Sequence, residues 1–315
     1  MKIGVIGVGY MGENHARIYK EKKALHGIYD INKKRLNDVS NKYNCILYND
    51  YHDLIHDVDA ISIASPNDTH YEIAKYALEN GVHTLIEKPI SDNIGNAEEL
   101  ISISKENNCI LLVGHIERYN PVISKIKKEI ENNTFGHIYS FSSKRLGMYT
   151  PKYKDNVLFD LSVHDIDVMR YLSESEVHSV FAVCENNIHD NIDNSAIILN
   201  FNNGIFGIIE VSWLATYGIR RMEITCQNNM VEIDYSDQSY KKSNRYMNEK
   251  DNIVSKTTKT SMRKIEPLKL EIEDFIDSIL HKKEPLVGGD DGLMNLKIAT
   301  AAIESNNLGK KVYIK

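Results

Sequence analysis

Lys2-Ile3-Gly4-Val5-Ile6-Gly7-Val8-Gly9-Tyr10-Met11-Gly12 is a short apolar run closed by a Gly-x-Gly-x-x-Gly turn at the N-terminus. Glu13 to Glu21 behind it reads as a helix. In such a turn the first glycine permits the tight bend, the second leaves room for a pyrophosphate, and the third lets the helix pack on the strand. The helix start then offers unpaired N–H groups and the positive end of its dipole to phosphate. Asp30 ends a second strand, Leu25 to Tyr29, where a carboxylate can accept from ribose hydroxyls and repel a 2′-phosphate. Read together, these residues imply a bound dinucleotide, NAD in preference to NADP. Lys33 and Arg35 nearby read as a solvated helix face that could soften that preference.

The pattern continues outward. Asn32 to Lys42 is helical. Cys45 to Leu47, Ala60 to Ile63, Thr84 to Ile86 and Ile110 to Val113 supply further buried strands, with helices over Asp68 to Glu79 and Ile94 to Glu106. Strand–helix alternation at this spacing predicts a parallel sheet with helices on both faces, a Rossmann domain over residues 1–119.

From residue 120 the period changes. After a helix over Val122 to Glu131 come alternating strands at Ile138 to Lys144, Val177 to Cys184, Ser195 to Phe201, Ile205 to Trp213, Met222 to Gln227 and Val231 to Tyr235. Asn203-Gly204 signals a type I′ hairpin. The polar stretch Ser236 to Lys264 reads as exposed hairpins or an excursion. Leu268 to Leu280 and Met294 to Ser305 are helices, and Val312 to Ile314 a closing strand. The fold class is therefore α/β: an N-terminal Rossmann parallel sheet, then an α+β domain over residues 120–315 with a large open antiparallel-rich sheet. The last helices are candidates to pack on the first domain. An uncovered sheet face asks for a partner, so a homodimer or homotetramer through that face is expected.

Bulk properties narrow the function. The 315 residues suffice for two cores, and a formal charge of −6 without a basic tail excludes a nucleic-acid binder. No apolar run is long enough to span a bilayer, and glycines interrupt the N-terminal one, so a cytoplasmic protein is expected. Cys45, Cys109, Cys184 and Cys226 show no CxxC spacing and read as reduced thiols, with neither a disulfide nor a zinc site.

Three places carry polar residues suited to chemistry. Lys88 in Glu87-Lys88-Pro89 follows a parallel strand, at the sheet end where ligands bind. A surface lysine beside a turn proline is the plain alternative. Asp160 and His164 are four apart on a predicted helix and so share a face. Histidine suits proton exchange near neutral pH and a carboxylate can orient it. The alternatives are a helix-start Asp–His pair or a metal site with Asp165, for which no further ligand cluster is evident. Gly114-His115-Ile116-Glu117-Arg118-Tyr119-Asn120-Pro121 closes the Rossmann region, and Arg118 and Asn120 could hold substrate hydroxyls or an anion, or merely cap a helix.

As an ordered set, the Gly7–Gly12 turn, Asp30, Ser65-Pro66-Asn67 with His70, Glu87-Lys88-Pro89, Asp160…His164 and Gly289-Asp290-Asp291-Gly292 resemble the Gfo/Idh/MocA oxidoreductase family over essentially the whole chain. The resemblance implies oxidoreduction of a sugar or polyol hydroxyl with Lys88, Asp160 and His164 as the catalytic trio. It implies NAD contacts from Gly7, Gly9, Tyr10, Met11, Gly12, Asp30, Ile31, Arg35, Ala64, Ser65, Pro66, Asn67, His70, Glu87 and Lys88. Substrate contacts are expected from Lys88, Arg118, Tyr119, Asn120, Asp160 and His164, with Arg118, Arg220 and Arg221 as candidates for a diphosphate. A narrower resemblance, through Gly114 to Pro121, Asp160 to Asp167 and Glu210-Val211-Ser212-Trp213-Leu214, is to the family's UDP-N-acetylglucosamine 3-dehydrogenases. The chain departs from them at Leu214-Ala215-Thr216-Tyr217, where a Thr-Pro pair is usual, which leaves other sugars or an inositol as alternative substrates. A regulator that binds a dinucleotide without turnover would have no use for the three catalytic positions.

Overall fold

The computed structural model describes residues 1–148, 156–188, 190–248 and 253–314. The chain divides into two compact units, residues 1–115 with 268–296, and residues 116–267 with 297–315. The division falls at His115/Ile116 rather than Tyr119/Asn120, and the segment 268–296 belongs with the first unit.

In the first unit the order is β1 (Ile3–Ile6), α1 (Tyr10–Glu21), β2 (Leu25–Tyr29), α2 (Lys33–Tyr43), β3 (Ile46–Leu47), α3 (Tyr51–His56), β4 (Ala60–Ile63), α4 (His70–Glu79), β5 (His83–Glu87), α5 (Ile94–Glu106) and β6 (Leu111–Gly114). The six strands are all parallel in the order β3-β2-β1-β4-β5-β6. Strands β1 and β4 are buried throughout, as continuous apolar runs in a doubly covered sheet must be. Asparagines start two of the helices: Asn32 and Asn93 accept from the backbone N–H of Arg35 and Asn96. The sheet order reverses between β1 and β4, which creates a crevice at their carboxyl ends.

The second unit begins with α6 (Pro121–Glu131), capped by Asn120 with Pro121 in its first turn. It continues with β7 (Ile138–Met148), α7 (Val163–Ser173), β8 (Val177–Glu185), β9 (Asn194–Phe201), β10 (Phe206–Ser212), β11 (Leu214–Cys226), β12 (Asn229–Asp234), β13 (Ser239–Met247) and β14 (Ile253–Ser261). Helix α8 (Pro267–His281) and the start of α9 (Gly289–Leu308) fall in the first unit, and β15 (Val312–Tyr313) closes the chain in the second. Among the described residues the second sheet has nine strands, β14-β13-β12-β11-β7-β10-β9-β8-β15, antiparallel except for β10 with β7. The polar stretch from Ser236 resolves into the β13–β14 ladder, with residues 249–252 outside the described set.

The β9–β10 hairpin forms, but not through a type I′ turn. Only Gly204 has positive φ, at 86°, and Phe201 O accepts from the Gly204 N–H, so Asn202-Asn203 turn as type I with Gly204 as the following left-handed residue.

One face of this sheet is covered by α7, whose Ile166, Val168, Met169 and Leu172 are buried. The opposite face keeps an apolar row in register. Ile208 lies opposite Ile198, and Ile198 opposite Phe181. Ile198, Phe206, Ile208 and Val183 are between 40% and 52% exposed.

Candidate active site

Two of the three glycines of the turn, Gly7 and Gly12, have no room for a side chain. A Cβ on Gly12 would lie 1.8 Å from Gly7 O, and one on Gly7, whose φ is +81°, would lie 2.6 Å from the Ser65 nitrogen. A Cβ on Gly9, by contrast, meets nothing within 4 Å. The second glycine therefore fronts open space at the start of α1, the arrangement a pyrophosphate requires. Tyr10 and Met11 open that helix, with Tyr10 largely exposed.

Asp30 fastens this turn. Its carboxylate accepts the Val8 N–H and the Asn32 N–H, each at 2.7 Å. Ile31, between them, is exposed. Arg35 is not the solvated side chain its position in the sequence suggests. It donates to Val8 O at 2.8 Å and Gly9 O at 3.3 Å, and pairs with Glu13. Arg35 thus braces the carbonyl side of the turn that Asp30 braces from the amide side. Both are backbone-directed contacts to residues far apart in sequence, which a helical-face reading cannot supply.

At the ends of β4 and β5 a second brace appears. After Ala64, Ser65 Oγ lies 2.7 Å from Thr69 Oγ1 as Pro66 and Asn67 turn the chain into α4. The buried His70 ring spans two carbonyls, Ser65 O at 3.0 Å and Pro89 O at 2.9 Å. It ties the segment after β4 to the Lys88–Pro89 peptide, which is cis. Glu87 is held from below by His15 Nε2 of α1 at 3.0 Å. Burial pushes the Glu87 carboxyl up, but the His15 hydrogen bond and the charges of His15, Lys88 and His70 outweigh it and hold the group below its usual range. Glu271 of α8 joins them, with ligating atoms of His15, Glu87 and Glu271 within 4.8 Å of one another. His15, Glu87 and Glu271 thus bring α1, β5 and α8 together beside the Glu87–Lys88 peptide.

In the second unit Asp160 and His164 lie on a continuous turn, but it is not the regular α-helix predicted. Leu158–Ser162 is one π-helical turn, closed by Val163 N–H onto Leu158 O, and α7 follows directly. Asp160 belongs to the π turn and His164 to the first turn of α7; both are half-buried. Inserted π turns recur at functional sites because they re-aim a side chain that a regular helix would misplace.

The other acids of this helix do structural work. Asp165 takes Arg145 Nε at 2.8 Å, and Arg145 Nη1 reaches Glu117 at 2.8 Å. Asp167 takes Nε and Nη2 of Arg118, both at 2.8 Å. All five side chains are at least nine-tenths buried. Burial works against the Arg145 charge, but Asp165 and Glu117 more than offset it and raise its pKa. Three of the residues expected to contact substrate are buried and engaged within the protein. Arg118 is 5% exposed, forked onto Asp167 and stacked over Tyr171, and Tyr119 is likewise 5% exposed. Asn120 is 2% exposed, caps α6 and donates to Glu117 and to Tyr235 O. Their partners come from α7 and the strand region beyond, so a polar cluster at a boundary reads as a ligand site until those partners are known.

The register of β11 on β7 separates the two remaining arginines. Directly opposed residues of an antiparallel pair share a face. Arg220 opposes Arg145, so it shares the α7 face, while Arg221 opposes Lys144 on the outer face and pairs with Asp234 at 3.3 Å. Trp213, between β10 and β11, also reaches the site: its indole Nε1 donates to Asp160 Oδ2 at 3.3 Å. The sequence reading quoted Trp213 only as part of a strand resemblance and gave it no role. That it is the sole tryptophan of the chain was the one available signal.

A switch-point crevice on an all-parallel sheet and a glycine turn fastened by Asp30 are the parts of a dinucleotide-binding domain, and the second unit carries Asp160 and His164 on a π turn and the helix that follows it. The chain belongs to the Gfo/Idh/MocA oxidoreductase family. The family's NAD-binding Rossmann fold matches residues 1–115 and its C-terminal alpha/beta domain matches residues 127–314. NAD is accordingly the cofactor of the first unit, and Gly7, Gly9, Gly12 and Asp30 fit it. The chain is 30% identical over 306 residues to UDP-N-acetylglucosamine 3-dehydrogenase of Acidithiobacillus ferrooxidans, covering 96% of each chain. A solved structure of that enzyme superposes with a TM-score of 0.90 at 29% identity, covering 97% of both chains. Myo-inositol 2-dehydrogenase of Thermotoga maritima is 28% identical, with 97% of this chain and 96% of that protein covered. Among the described residues no helix is long and apolar enough to cross a membrane.

Proposed function

We propose that the protein oxidises a secondary hydroxyl of a sugar to a ketone, with C3 of UDP-N-acetylglucosamine as its substrate, in the synthesis of diamino sugars for surface glycans. The similarity to the Acidithiobacillus enzyme along 96% of both chains supports the substrate. The Asp160–His164 segment and Lys88 at the end of β5 supply the groups the chemistry needs. Bound NAD⁺ supplies the hydride acceptor. His164 takes the hydroxyl proton as general base, the carbon gives up its hydride, and the C–O bond becomes a carbonyl. Lys88 stabilises the negative charge that develops on that oxygen, and Asp160 orients the proton-transfer pair. The diphosphate falls to Arg220, which is exposed on the α7 face, rather than to the committed Arg118. The myo-inositol 2-dehydrogenase similarity favours a second reading, the same chemistry on a free polyol.

A substrate panel followed by nicotinamide absorbance separates the two. Turnover with UDP-N-acetylglucosamine and none with inositols or hexoses is expected. Arg220→Ala is expected to raise KM for the nucleotide sugar about tenfold, the loss of one charge-assisted contact, while leaving KM for NAD unchanged. Turnover of inositol alone would replace the substrate assignment.

The row of exposed Val183, Ile198, Phe206 and Ile208 with the half-buried Phe181 is read as the contact between copies of this chain, a dimer or tetramer through the outer sheet face. Ile208→Glu puts a charge at the centre of that row. Sedimentation is expected to show an oligomer for the parent protein and monomer for the variant at micromolar concentration; a monomeric parent would refute the contact.

A further inference from the structure

We propose that Trp213 is a positioning residue that holds Asp160 in its working orientation; this rests on the assignment of Asp160 to the catalytic set. The indole side chain is 3% exposed, and its Nε1–H meets Asp160 Oδ2 at 3.3 Å. An indole N–H only donates, so the oxygen it holds is kept an acceptor, and a proton placed on that oxygen would compete with the bond.

Both ends of the contact are fixed by one short segment. Val157 N–H, at the start of the π turn, donates to Ile192 O at 2.9 Å. The backbone N–H of Trp213 donates to Asp193 O, also at 2.9 Å. Asp193 is fully buried, and its carboxylate accepts the N–H groups of Asn187 and Ile188 as well as the Asn187 amide. Residues 192–193 therefore lock the turn that carries Asp160 and the residue that carries the indole to the same anchor. Ser212 Oγ, ending β10, accepts the Leu214 N–H and fixes the chain on either side of Trp213. A π turn inserted before a helix is a feature that recurs at functional sites, and a partner from outside the helix fixes the orientation of the acid it carries. The indole supplies that partner from the strand side.

The chain has a single tryptophan, so an indole ¹⁵N label gives one resonance to watch. That resonance is expected to move in Asp160→Ala. Trp213→Phe keeps most of the ring volume and removes the donor; kcat is expected to fall about tenfold, the worth of a hydrogen bond to a charged group, with KM for NAD unchanged. In the Asp160→Ala background the same change is expected to cost no further kcat. An indole signal unmoved by Asp160→Ala, or losses that multiply in the double variant, would overturn the proposal. Full turnover in Asp160→Ala with a shifted indole signal would instead refute the catalytic assignment on which it rests, so the two failures are distinguishable.

Discussion

Turnover is expected to fall by about 10²–10⁴-fold in His164→Ala, and by a similar factor in Lys88→Ala, while the affinity for NAD stays nearly unchanged. The magnitude follows from what each side chain does. A positioned base removes a proton that water removes poorly at neutral pH, and a cation beside the oxygen stabilises charge only as it develops. The second half of the expectation follows from where the cofactor determinants sit. Asp30 and Arg35 brace the Gly7–Gly12 turn through Val8, and the His70 ring holds Ser65 O and Pro89 O, contacts that are made by groups other than the Lys88 side chain. Glu87, next to Lys88, keeps His15 in either variant. Steady-state rates with saturating substrate, beside a direct titration of NAD binding, check both halves. Full activity in Lys88→Ala would sink its assignment, and a raised KM at unchanged kcat would make it a binding residue only.

The features legible in the sequence were those whose cause is local. Gly7 to Gly12 and Asp30 act within a single strand–turn–helix–strand unit, so their spacing alone carries the geometry. Asp160 and His164 were found by a helical spacing; Asp160 lies on a π turn and His164 in the first turn of the α-helix that follows it. The spacing could not show the π turn, because a period of 3.6 is assumed in reading any helix from sequence. Strand β11 was read only from Met222 onward. Its first part, Leu214 to Arg221, is exposed or half-buried at every position and so has no apolar alternation to detect. The β13–β14 ladder was obscure for the same reason: its strands are mostly exposed beyond Tyr240.

What was not legible depends on partners remote in sequence. Arg118 and Asn120 have the right chemistry for a substrate site, and only Asp167 and Tyr235 reveal that they are already committed. Arg35 turns from a surface charge into a brace through Val8 and Gly9. Trp213 gains a role only through Asp160, 53 positions away.

Arg145→Ala is expected to cost about 3–5 kcal/mol of stability, because it strands two buried carboxylates rather than merely deleting a cation. Arg145 is 3% exposed, Asp165 1% and Glu117 8%, and the guanidinium holds both acids while lying over the Tyr235 ring. Burial pushes the Asp165 carboxyl up, and the charge of Arg145 is the main opposing influence. Without it the folded-state pKa of Asp165 rises further above its unfolded value, and the folded protein binds the extra proton. Stability of the variant therefore increases as pH falls from the folded pKa of Asp165 toward its unfolded value, and the deficit against the parent protein is largest at neutral pH. Urea unfolding of both proteins at neutral and mildly acid pH tests this; a deficit that widens on acidification would contradict it. The effect reaches catalysis through α7, since Asp165 is the residue after His164 on that helix. Once the acid is no longer drawn onto β7, the imidazole loses its fixed support. The folded fraction of Arg145→Ala is expected to turn over more slowly than the parent protein, whereas Arg17→Ala, which removes an exposed pair with Glu21 on α1, is expected to change neither stability nor rate by a comparable amount.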